Sequence, residues 1–148
     1  MKNLIFCTRL VVILIALTTS SCEKDKTPEE LLIGKWEIQF LHKIAYVDDI
    51  FLGDTTIYYD PGDAWIKFND DKTGGTYFFG PGPNDFKWSV NGDNITINFT
   101  TGDKNTVVLT FAVSETTLSW VATPIEEAYI NNPSKTYREH WYHWARRK

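Results

Sequence analysis

The chain has 148 residues, with 15 basic and 19 acidic side chains and a formal net charge of −4. That balance argues against the basic stripe by which proteins hold nucleic acid or adhere to anionic lipid through charge alone. Arg146-Arg147-Lys148 is the one basic run, and it reads as a solvated tail.

Residues 1–21 combine a basic start, Lys2 and Arg9, with the unbroken apolar run Leu10 to Leu17. This is the pattern of a signal peptide, because eight apolar residues fall far short of the roughly 20 that a spanning helix needs. Small residues, Thr18-Thr19-Ser20-Ser21, then lead to Cys22. The stretch resembles a bacterial lipobox, which implies diacylation of Cys22, cleavage before it and acylation of the new amine; Thr19 stands where such motifs carry leucine. The alternative is a plain secretory leader with an incidental cysteine. Acyl chains on Cys22 would hold the protein on a membrane without spanning it.

Removing the leader leaves 13 basic against 19 acidic residues, a net charge of −6 over residues 22–148. Cys22 is then the only cysteine, so no internal disulfide forms and the core alone must hold the fold. Glu23 to Glu30 is charged and holds no aromatic or aliphatic side chain, so residues 22–31 read as a lipidated cysteine and flexible tether. A single domain over 32–148 follows.

From Gly34 to Ile44 the chain alternates: Trp36, Ile38 and Phe40 on one face, Lys35, Glu37, Gln39 and Lys43 on the other, the period of a half-buried strand. After a long connection, Ala45 to Asp63, further strands are expected over Ala64 to Asn69, near Thr76 to Phe79, around Phe86, Trp88 and Val90, then around Ile95, Ile97 and Phe99. Two more follow along Val107 to Val113 and at Leu118 and Trp120, and the last spans Thr136 to Arg146. Asn91-Gly92-Asp93 suits a tight hairpin, since Asn-Gly favours positive φ. Thr123-Pro124-Ile125-Glu126 has the spacing of a capping box and predicts a short helix from Pro124 to Ile130, before the last strand.

Eight strands joined mostly by short turns predict an all-β fold, an antiparallel up-and-down barrel that removes its own edges. An immunoglobulin-like sandwich is the alternative, but it needs more long connections than the two present. Leu32-x-Gly34-x-Trp36, Ile66-x-Phe68-Asn69-x-Asp71 entering a glycine turn, and Phe86-x-Trp88-Ser89-Val90-Asn91-Gly92-Asp93 resemble the lipocalin-like lipoproteins of Bacteroidota over nearly the whole chain. The resemblance implies an eight-stranded barrel whose floor is closed by Gly34 and Trp36, with an arginine of the last strand stacked on the indole. Arg146 is the expected match. It also implies location on the outer membrane, facing the periplasm or the cell surface, the charged stretch after Cys22 being similar to an export signal in that group. Asp54-Thr55-Thr56 resembles an O-glycosylation motif of the same group.

Alternation places the Ala45 to Asp63 connection and the expected helix at the mouth opposite Trp36, where rigid barrels carry binding residues. Tyr46, Asp48, Asp49, Tyr58, Tyr59, Asp60, Glu126 and Tyr129 are candidates there, able to hold a small molecule or glycan by hydrogen bonds and ring stacking; the competing reading is a soluble loop of satisfied turn carboxylates. The aspartates between Asp48 and Asp63 lack calcium-loop spacing. His140 and His143 point to opposite faces of a strand and share no metal, and His42 is alone, so no metal or cofactor is expected. The nucleophile, zinc and phosphate-loop motifs of enzymes are absent from the sequence, which argues for a non-catalytic protein.

The inward set Trp36, Ile38, Phe40, Phe86, Trp88, Ile97, Phe99, Leu109, Phe111 and Trp120 is bulky enough to fill a barrel of this size near its floor. Two functions stay open: a binding module with its ligand at the open rim, or an accessory lipoprotein with a filled barrel that contacts another envelope protein.

Overall fold

A computed structural model describes residues 25–78, 82–102, 104–122, 125–129 and 132–148, of which 125–129 and 132–133 by backbone alone. Among the described residues one helix, α1 (Pro28–Leu32), precedes ten strands: β1 (Gly34–Val47), β2 (Ile50–Tyr58), β3 (Trp65–Phe68), β4 (Thr73–Tyr77), β5 (Asn84–Asn91), β6 (Asn94–Phe99), β7 (Thr106–Val113), β8 (Thr117–Ala122), β9 (Ile125–Tyr129) and β10 (Asn132–Arg147). Every pairing is antiparallel.

Eight of the strands, β1 and β3 to β8 with β10, close on themselves because β1 bonds both β3 and β10. The expected antiparallel barrel is therefore the fold. Its core follows the period-two pattern: Trp36, Ile38, Ile66, Phe68, Phe86, Trp88, Ile95, Ile97, Leu109, Phe111, Leu118 and Trp120 are all buried. Gly74 lies under the Phe86 ring, where a Cβ would come within 2.3 Å of it; only glycine lets that ring reach the core.

Three expectations along the chain need correction. The Ala45 to Asp63 connection is mostly strand, since β1 runs on to Val47, turns at Asp48 and Asp49, and returns as β2. Both turn residues have positive φ, 50° and 64°, the backbone of a tight primed turn without its usual glycine. Second, the helix expected over Pro124 to Ile130 is a strand over its described part, β9, which pairs with the first half of β10. Third, Pro28–Leu32 is helical, although residues up to 31 were expected to be flexible. Thr27 closes a capping box, its hydroxyl accepting from Glu30 N at 3.2 Å and Glu30 accepting from Thr27 N at 2.7 Å, while Leu32 is fully buried.

The long partners β1 and β10 outrun the barrel. Beyond Phe40 their upper halves are flanked by β2 and β9, so a four-stranded sheet, β2-β1-β10-β9, stands up from one side of the mouth.

At Gln39 the register of β1 against β10 slips, Ile38 facing Ala145 and Phe40 facing Trp144. Such a bulge inserts one residue and inverts every side chain after it. Phe40 is therefore turned out of the barrel, its ring parallel to that of Trp144 at 6.4 Å, and Leu41 is buried in its place. Lys43, expected outside, faces in.

Candidate ligand-binding site

The two ends of the barrel differ in how completely their groups are satisfied. At the floor, Trp36 is fully buried and donates from Nε1 to Leu32 O at 2.7 Å. Arg147 lies over the indole, 4.5 Å from its centroid, and its guanidinium donates to the carbonyls of Ile33 (2.9 Å), Glu115 (2.8 Å) and Leu31. The stacking arginine is thus Arg147 and not Arg146. Arg147 is the residue opposite Trp36 in the ladder, whereas Arg146 is opposite Glu37 on the outer face. Gly34, with φ of 136°, would bring a Cβ to 3.0 Å from Arg147 Nη1, so the structure brings Gly34 and Trp36 together with Arg147 at this end of the barrel. Lys72 pairs with Glu29 of α1 across the same end.

The mouth is open. A cavity of about 730 Å³ lies there, lined by Leu41, Lys43 and Ile57 from the standing sheet, Phe78, Phe99 and Val107 from the barrel rim, and Trp141 of β10. Tyr59, Asn84, Thr101 and Asn105 add polar groups. Lys43 Nζ sits 4.0 Å from the centroid of the Trp141 ring. Trp141 is oriented in turn by Glu139, which accepts from its Nε1 and from the Tyr137 hydroxyl at 3.3 Å. Burial raises the Tyr59 phenol above its ordinary value.

Beneath the cavity an aromatic stack seals the core. His143, 2% exposed, lies parallel to Trp120 at 4.8 Å, and Phe78 meets it edge-on at 5.1 Å. Desolvation by burial, helped by the positive charge of Lys43, lowers the imidazole from 6.5 to about 4, so it is neutral at physiological pH.

Of the eight rim candidates, the structure brings Tyr59 alone to the described lining. Asp48 accepts from Thr136 N at 2.9 Å, and Asp49 pairs with Arg138 at 2.6 Å, so these carboxylates fasten the β1–β2 turn to β10. Tyr46 meets Phe51 and His140 edge-on on the outer face of the sheet. Tyr58 is 78% exposed beside Phe40, and Asp60 lies in the exposed turn before β3. Glu126 and Tyr129 belong to β9, and their side chains lie outside the described residues. His42 bonds Thr56 Oγ1 at 2.8 Å on the outer face.

Sequence reasoning missed Lys43 and Trp141. The signal was the adjacent pair Phe40-Leu41, an alternation that fails at one step, which is how a bulge reads in sequence.

A closed eight-stranded meander with a tryptophan–arginine floor and an open apolar mouth defines a lipocalin-like barrel, a fold suited to holding small molecules. The sequence model of the lipocalin-like domain family matches residues 32–120, and the chain belongs to that family. The matched residues stop at Trp120, so the strand that closes the barrel lies beyond them. No curated protein and no solved structure matches the chain.

Proposed function

We propose that this protein is a lipid-anchored envelope protein, held through Cys22, that captures a small molecule in the mouth of its barrel without transforming it. The cavity at the mouth carries this reading: its volume of about 730 Å³ lies within the range of small-molecule sites, and apolar walls with a few polar groups are the usual lining of such sites. Native mass spectrometry of the protein purified from its own host tests it. A small molecule of constant mass should co-purify; repeated isolation of the bare polypeptide would count against a carrier. Metabolic labelling with an alkyne fatty acid tests the anchor, with Cys22→Ala expected to lose the label. The domain would face the periplasm or the cell surface, and protease shaving of intact cells separates the two.

A second reading, contact with another envelope protein, is favoured by the outer face of the standing sheet. There Tyr58, Phe51, Tyr142 and Trp144 are 78%, 58%, 39% and 38% exposed. Contiguous exposed aromatics of this kind mark interaction surfaces. The two readings use opposite faces of β1 and β10 and are compatible.

A further inference from the structure

The charge inside the mouth narrows the ligand. Lys43 is the only charged side chain among the described residues that line the cavity. Its ammonium rests on the Trp141 ring, and among the described residues no carboxylate lies within ion-pair range of it. The acid on the same inner face of β10, Glu139, is turned to Trp141 Nε1 and the Tyr137 hydroxyl and is not part of the lining.

An ammonium that keeps one side on an indole and the other on water is stable while the cavity is wet. A ligand that fills the cavity removes that water. A neutral occupant would then leave a cation desolvated and without a counter-charge, which is costly, whereas an anion would supply both a charge partner and a hydrogen-bond acceptor. Tyr59 and Asn105 line the same cavity and offer further donors. Leu41, Phe78, Phe99 and Val107 offer only apolar surface.

We infer that the mouth selects an organic anion, its carboxylate or phosphate on Lys43 Nζ and its apolar body against Leu41, Phe78, Phe99 and Val107. This rests on the cavity being the ligand site. Isothermal titration calorimetry on the folded barrel compares dodecanoate, dodecyl phosphate, dodecanol and dodecyltrimethylammonium, each below the concentration at which it self-associates, together with the aromatic pair 2-naphthoate and 2-naphthylmethanol. At least one anion should bind about tenfold or more tighter than its matched alcohol, and the two anionic head groups report which source fits better. Lys43→Met should erase the preference and Lys43→Arg should keep it, with both variants checked for folding by circular dichroism. Equal binding of acids and alcohols by the wild type would overturn the inference while leaving the cavity a ligand site. Binding of none of the six would overturn both.

Discussion

The floor and the mouth are built from the same two strands and do opposite things. At the floor, β1 and β10 bring Trp36 under Arg147, and every donor of that pair described above ends on a carbonyl of the chain. At the mouth, the continuation of the same strands holds Lys43 on Trp141 with no counter-charge among the described residues. Saturated groups hold a fold; an unsaturated one is available to something else. The barrel therefore separates stability from recognition along its axis, with the His143 stack as the border.

The largest effect expected from breaking this division is at the floor. Trp36→Ala removes a fully buried indole and should cost about 3–5 kcal/mol, read as a lower urea midpoint, or as failure to fold. At the border, stability should fall with acid. The imidazole of His143 titrates near 4 in the folded chain and near 6.5 when unfolded, so the unfolded state binds the extra proton between those values. Stability is full above about pH 6.5, declines as pH drops through that window and levels off below 4. The loss is at most about 3.5 kcal/mol, and His143→Phe should flatten it in urea titrations at pH 7 and pH 4.5.

Arg147→Ala should cost about 2 kcal/mol through its lost stacking and backbone hydrogen bonds, while Arg146→Ala should stay within about 0.5 kcal/mol. An equal cost at both positions would mean that the tail and not the stack matters. Smallest of all, Lys43→Met should change stability by less than about 1 kcal/mol, since it loses only the contact with Trp141. A large drop in its thermal midpoint would make Lys43 a structural residue and blur the division.

Barrel and floor were legible in the sequence because a strand with one wet and one dry face writes its own period, as Phe86, Trp88 and Val90 do. The standing sheet was not. The run Ile50 to Tyr58 is exposed on both faces along nearly all its length, so it has no alternation to read, and its turn uses two aspartates where glycine would have announced a hairpin. The bulge at Gln39 then reversed the parity of Lys43, and a one-residue error in parity exchanged Arg146 for Arg147.

The most direct lesson comes from one motif used twice. Thr27-Pro28-Glu29-Glu30 and Thr123-Pro124-Ile125-Glu126 share the spacing of a capping box. The first caps a helix whose Leu32 is buried on the floor. In the second, Ile125 and Glu126 lie in β9, opposite Glu139 and Arg138. A cap is worth about 1 kcal/mol; a bare edge on the long strand β10 offers a ladder of backbone bonds. Local signals decide only where no such partner waits.

The helix at the floor also marks the end at which the chain enters the barrel. The chain enters the barrel at its closed end, and five residues separate Cys22 from Pro28, a reach of at most about 20 Å. β10 alone has 16 residues, on the order of 50 Å of strand. If Cys22 carries the anchor, such a leash is too short for the mouth to turn back to the bilayer that holds it. Cargo would enter and leave through water, so its exchange should depend on aqueous solubility or on a donor that approaches from the far side.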